Sequence, residues 1–178
     1  VIILAGFLGS GKTTTLNHIL RSSNGKKIGV IVNDFGEVNI DSLLVSRQTD
    51  NTMELSGGCI CCQMNDGGLD EILATFSHPN SKIDAIVIEA SGIAEPIDLR
   101  KLILYSSNKS ISMNGVVYIV DAKNIIDNLK NHPKINNHIA TADIIVLNKI
   151  DLVDKNDLAS IKSTINKINP NSIIIQTT

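Results

Sequence analysis

Eight consecutive residues, Gly6-Phe7-Leu8-Gly9-Ser10-Gly11-Lys12-Thr13, satisfy the pattern G-x-x-x-x-G-K-[ST] in full. Glycines at these spacings let successive backbone N–H groups turn inward around phosphate oxygens. Lys12 is then placed to neutralise β- and γ-phosphates, and the Thr13 hydroxyl to bind Mg²⁺. Gly9, Ser10, Gly11, Lys12, Thr13 and Thr14 are the expected phosphate-cradling residues. A helix opening near Lys12 adds its positive end to the same site. A glycine-rich turn that merely contains Lys-Thr would carry the same letters. The strand expected before the motif and the helix expected after it argue against that reading.

Two further segments suit a nucleotide. Asn148-Lys149-Ile150-Asp151 follows the apolar run Ile144 to Leu147. A carboxylate at Asp151 accepts from guanine N1–H and the exocyclic amine together, donors that adenine does not offer, so Asn148, Lys149 and Asp151 are the expected base readers. Lys149 is expected to lay its stem along the base, and a second base-contacting loop would begin after Thr177 and Thr178. The competing reading is a surface Asn-Lys turn. Glu89-Ala90-Ser91-Gly92 closes another apolar run with an acid followed three residues later by glycine. An acid there holds Mg²⁺ through water and the Gly92 amide senses a γ-phosphate; the plainer alternative is an ordinary strand-end acid. Lys12, Thr13, Glu89 and Gly92 are thus the candidate catalytic residues. Asn33-Asp34-Phe35-Gly36-Glu37 sits where a switch loop is expected, although a solvated acidic loop explains any one of its acids almost as well. Asp121 reads as site-lining at best. No residue offers itself as a strong general base, and Arg21, Arg47 and Arg100 include no obvious arginine finger, so unstimulated turnover should be slow.

All three cysteines fall in Gly57-Gly58-Cys59-Ile60-Cys61-Cys62. In an extended segment Cys59 and Cys61 point to one side and can share an ion, and Cys62 joins them only if the loop turns. Thiolates favour Zn²⁺ or another thiophilic metal. Glu37, a water or a distant histidine is left for a fourth position. Packed thiols and a redox switch are the competing readings, the latter because Cys59 and Cys61 can meet disulfide distances. His18, His78, His132 and His138 show no ligand spacing and read as surface or helix-end residues.

These segments need a scaffold. Ile2 to Leu4, Ile28 to Val32, Ala85 to Ile88, Val116 to Val120, Ile144 to Leu147 and Ile173 to Ile175 are apolar runs suited to strands buried on both faces. Helical patterns alternate with them over Thr13 to Arg21, Leu69 to Phe76, Ile97 to Tyr105, Asn124 to Lys130 and Asp157 to Ile168. This alternation predicts an α/β fold, a three-layer P-loop NTPase with a mostly parallel central sheet, in one domain over residues 1–178. Val38 to Ile40 and Thr52 to Leu55 are expected to form a small extra hairpin, with His132-Pro133 in a loop. Aromatic residues make up only 3% of the chain, so the core must be aliphatic. Lys and Arg number 16 against 18 Asp and Glu, a balance that gives no electrostatic case for nucleic acid or an anionic membrane. No apolar run approaches the ~20 residues that span a bilayer. Val1 opens directly in a strand-like run, so no signal peptide is expected. The clustered, odd set of thiols fits a reduced, cytoplasmic setting.

Taken together and in this order, the P-loop extended to Thr14, the Asn33–Glu37 segment, Gly58-Cys59-Ile60-Cys61-Cys62, Glu89-Ala90-Ser91-Gly92 and Asn148-Lys149-Ile150-Asp151 resemble the CobW-like family of metallochaperone GTPases. The resemblance covers nearly the whole chain. It implies slow hydrolysis of GTP to GDP and phosphate, coupled to binding zinc or cobalt and delivering it to a metalloenzyme client. It also implies that the thiols lie near the nucleotide switches. A second, C-terminal domain, often with a His-rich stretch, is expected from the family and absent from this chain. A homodimer is among the expected assemblies. The alternatives are a regulatory GTPase switch without metal delivery and a thiol redox sensor.

Overall fold

Four of the apolar runs are followed by a polar residue that proves to be the last of its strand: Glu89, Asp121, Asn148 and Gln176. In the computed structural model, which describes residues 1–32, 52–54 (as backbone), 68–92 and 94–178, the strands are β1 (Ile2–Gly6), β2 (Ile28–Val32), β3 (Thr52–Glu54), β4 (Ala85–Glu89), β5 (Gly115–Asp121), β6 (Ile144–Asn148) and β7 (Ile173–Gln176). The helices between them are α1 (Lys12–Arg21), α2 (Gly68–Ser77), α3 (Pro96–Tyr105), α4 (Ile125–Asn131), α5 (Lys134–Ala140) and α6 (Lys155–Ile168). The strands form one 7-stranded sheet in the order β3-β2-β4-β1-β5-β6-β7. Every described pairing is parallel. The predicted three-layer α/β arrangement is the observed one.

The pleat sends alternate residues to two cores. Ile3 and Ala5 join Leu73, Leu99, Ile135, Ile139 and Ile165, which come from α2, α3, α5 and α6. Leu4, Val30, Val87 and Ile119 face the other way and meet Leu16 and Leu20 of α1. Leu16 is 0% exposed. Leu16→Ala leaves a cavity between α1 and the sheet and is expected to cost roughly 2–5 kcal/mol, read as a shift in the urea midpoint with an unchanged slope.

Three expectations need correction. Thr52–Glu54 does not stand apart in a hairpin; it pairs in parallel with β2 at the sheet edge, Ile31 opposite Met53. The Val38 to Ile40 half of that hairpin lies outside the described residues. Ile173 to Ile175 is not buried on both faces: β7 borders the sheet, so Ile173 is 63% and Ile175 47% exposed. A helix unanticipated from the sequence, α5, follows Pro133, where two asparagines hide a short i, i+4 pair, Ile135 and Ile139, both buried. Among the described residues no helix is long and apolar enough to cross a membrane.

Candidate functional site

Parallel register brings the strand ends to one rim. Leu4 lies opposite Glu89, Val32 also opposite Glu89, Gly6 opposite Ile119, and Asp121 opposite Asn148. The loops that leave this rim therefore start from a common level, the usual place for a ligand on an open α/β sheet.

At the end of β1 the chain must double back into α1. A Cβ on Gly6 would stand 2.6 Å from both the Ile119 carbonyl oxygen and Ser10 Oγ, so only a bare backbone fits. Gly9 (φ 69) and Gly11 (φ 101) take the left-handed angles that let the loop curl. Gly11 then accepts from Thr15 N at 2.9 Å, which opens α1. Lys12 Nζ donates to the Phe7 carbonyl at 3.3 Å, folding its ammonium over the loop. Thr13 Oγ1 donates to Glu89 Oε1 at 2.8 Å, joining the start of α1 to the end of β4. A hydroxyl and a carboxylate at this separation are a hard-oxygen pair suited to a Mg²⁺ ion.

Leu8, Gly9, Lys12, Thr13, Glu89 and Gly92 line a cleft of about 380 Å³, which Thr14 also borders. Gly92 packs so closely beneath Leu8 that a Cβ would come within 2.7 Å of Leu8 Cδ2. Ser91 Oγ is buried at this cleft without a hydrogen-bond partner among the described residues, a polar group that a phosphate or its water can satisfy. Ser91 was not singled out in the sequence, where a serine between alanine and glycine carries no signal.

The second half of the site grips the first. Asn148 Nδ2 donates to the Ser10 carbonyl at 2.9 Å, and a Cβ on Gly11 would clash with that same amide. Asn148 Oδ1 accepts from Lys149 N at 2.9 Å, which holds Lys149 in its left-handed turn (φ 60). Lys149 Nζ reaches the Gly9 carbonyl at 2.7 Å and Asp121 Oδ2 at 2.8 Å. Asp121 thus does more than line the site. Burial pushes its carboxyl upward, but the Lys149 ammonium and the Asn124 amide outweigh burial and hold it below the ordinary carboxylate value. Asp151 follows in a 3-10 turn, Ile150–Leu152, with its side chain exposed. Ile150 N donates to the Thr177 carbonyl at 3.3 Å, so the residues just after β7 border the Asn148–Asp151 segment.

The structure therefore gathers Gly9, Gly11, Lys12, Thr13, Thr14, Glu89 and Gly92 at the cleft, with Ser10 buried in the loop between them, Asn148 and Lys149 bonded to that loop and Asp151 beyond them. Glu37, Cys59, Cys61 and Cys62 lie outside the described residues, as does the Asn33–Glu37 segment. His138, read from the sequence as a surface or helix-end residue, sits in the last turn of α5 and is buried.

The sequence profile of the CobW/HypB/UreG nucleotide-binding domain matches residues 1–176. A zinc-regulated GTPase metalloprotein activator 1 of Schizosaccharomyces pombe is 36% identical over 187 residues, covering 100% of this chain and 45% of its own length. Its namesake from Dictyostelium discoideum is 32% identical over 217 residues, with 100% and 45% covered. The chain thus spans less than half the length of these curated relatives. Among solved structures, the zinc-bound YjiA GTPase from E. coli superposes with a TM-score of 0.72 at 26% identity, over 97% of this chain and 55% of that one.

Proposed function

The chain belongs to the CobW/HypB/UreG nucleotide-binding family, and from that premise we propose that it hydrolyses Mg·GTP to GDP and phosphate and couples the cycle to handling zinc. The observation that carries the reading is the Thr13–Glu89 contact at 2.8 Å beside Lys12 and Gly92. In the reaction a water oxygen bonds to the γ-phosphorus as the bond to the β–γ bridging oxygen breaks. Thr13 and Glu89 would hold the Mg²⁺ ion, which neutralises phosphate charge when bound. Lys12 swings from the Phe7 carbonyl to the phosphates, and the loop amides at Gly9, Ser10, Gly11 and Thr14 cradle the phosphate oxygens. Gly92 N–H meets the γ-phosphate.

Asp151 reads guanine, while Asn148 and Lys149 tie that reader to the phosphate loop. Asp151→Asn replaces one acceptor with an amide that cannot take both guanine donors. It is expected to weaken GDP binding by roughly tenfold to a hundredfold, the worth of charge-assisted hydrogen bonds, and to leave ATP binding poor. Equal hydrolysis of ATP and GTP by the unsubstituted protein would remove guanine selection.

Zinc is the cargo we favour over cobalt, because the relatives' names carry zinc. Cys59 and Cys61, with Cys62 and Glu37, are the proposed ligands, and a metalloprotein client the recipient. The test is GTP turnover measured with and without added Zn²⁺ or Co²⁺. A change in turnover supports metal coupling. Metal-independent turnover leaves a plain GTPase switch, and absent turnover removes the enzyme.

A further inference from the structure

Glu95 follows Gly92 by three positions and precedes Pro96, the first residue of α3. A residue before proline is confined to extended angles, and Glu95 adopts φ −83 and ψ 109. It occupies the N-cap of α3, yet its side chain caps nothing there. Both carboxylate oxygens turn instead to α5. Oε1 pairs with Lys134 Nζ at 2.9 Å, and Oε2 meets His138 Nε2 at 2.8 Å. The chain of contacts continues inward, since His138 Nδ1 lies 3.4 Å from the Tyr118 hydroxyl on β5. Tyr118 is 1% exposed, and burial pushes its phenol upward, so it keeps its proton. The tautomer with its proton on Nε2 satisfies all three groups: the phenol donates to Nδ1 and Nε2–H donates to Glu95.

The segment between β4 and α3 is held at both ends. Upstream, Ala90 N donates to the Leu4 carbonyl at 2.9 Å, next to the Thr13–Glu89 contact. Downstream stands Glu95. Between these anchors Ala94 N donates to the Ser91 carbonyl at 3.0 Å, closing a turn that contains Gly92. The corner that leads into α5 also backs the phosphate loop, where His132 lies against Phe7 with ring centroids 4.7 Å apart. The segment from His132 to His138 thus contacts Phe7 of the phosphate loop and Glu95, three residues after Gly92.

We propose that Glu95 and His138 are positioning residues for GTP hydrolysis, their contact pinning the Gly92 turn to α5 so that the Gly92 amide meets the γ-phosphate. The inference rests on the function proposed above. Neither side chain touches nucleotide; both act through the placement of Gly92. A ground state without a γ-phosphate does not use that amide, so GDP binding is indifferent to the latch.

The test is a series in the full chain: Glu95→Ala, His138→Ala, His138→Gln, Lys134→Ala and the Glu95→Ala/His138→Ala pair. Expected for His138→Ala is a kcat about tenfold lower, the worth of one charge-assisted hydrogen bond, with the GDP Kd within about twofold of the parent. His138→Gln should recover most of kcat, because its amide N–H can still donate to Glu95. The paired variant should be no worse than Glu95→Ala alone. Lys134 is exposed, so Lys134→Ala keeps the fold and should give a smaller fall in kcat even if burial makes the His138 variants unstable. Unchanged kcat across the series, or GDP affinity falling in step with kcat, overturns the latch. A flat series in a protein that turns over GTP leaves the proposed function standing, whereas a parent that neither binds nor hydrolyses GTP sinks both.

Discussion

Lys12→Ala is expected to abolish measurable GTP binding, with affinity falling at least about a hundredfold. The loop supplies backbone N–H groups and a helix N-terminus, which are partial charges. Among the described lining residues of the cleft, Lys12 carries the full positive charge and Glu89 is the acid. Removing it leaves a triphosphate beside a carboxylate with much of its charge uncompensated. The substitution should not unfold the domain, because Lys12 is only half-buried and the helix it opens is anchored by Leu16 and Leu20. Calorimetry with GDP and with a nonhydrolysable GTP analogue, alongside a thermal melt, separates the two effects. Near-parent affinity in a folded Lys12→Ala protein would overturn the phosphate site.

The second large effect is expected at the thiols. Cys59→Ala/Cys61→Ala should lower zinc affinity by several orders of magnitude, since thiolate–zinc bonding contributes most of the roughly 10–16 kcal/mol seen at thiolate-rich sites. In the parent, affinity should fall as pH drops, because each thiol must lose its proton before it binds. Coupling is the sharper claim. The cysteines lie between the Asn33–Glu37 segment and the Glu89–Gly92 segment in sequence. If γ-phosphate contacts set their geometry, zinc and GTP tighten each other's binding by one common factor. Zinc titrations in the GDP state and in the analogue state measure that factor. Equal affinities in the two states would refute nucleotide-gated handling while leaving a metal site, and unchanged zinc binding in the double variant would remove the site too.

Much of this arrangement was legible in one dimension because it is local. A phosphate loop is a single contiguous segment, and its glycines, lysine and threonine act on a ligand through their own backbone and side chains. Alternating apolar runs and amphipathic stretches likewise specify a parallel sheet, since only that topology buries both faces of such strands. Short elements were harder. Lys134–Ala140 has strong helix formers only at its two ends, with Ile, Asn, Asn, His and Ile between them, and owes its helix to burial of Ile135 and Ile139, a tertiary effect. Ile173–Gln176 reads as a core strand by composition, and its position at the sheet border is what leaves it exposed.

What the sequence by itself determined, then, is the family, the sheet-and-helix class and the candidate residues Lys12, Thr13, Glu89, Gly92, Asn148 and Asp151. Only the tertiary structure decided how they engage one another. Thr13 meets Glu89 across 76 positions of chain, and Asn148 reaches Ser10 across 138. Asp121 became the partner of Lys149, and Glu95 turned from its own helix to His138. Such contacts leave no spacing to read, because they depend on strand order and register. Those are set by the summed burial of aliphatic side chains over the whole sheet, and no single motif carries that information.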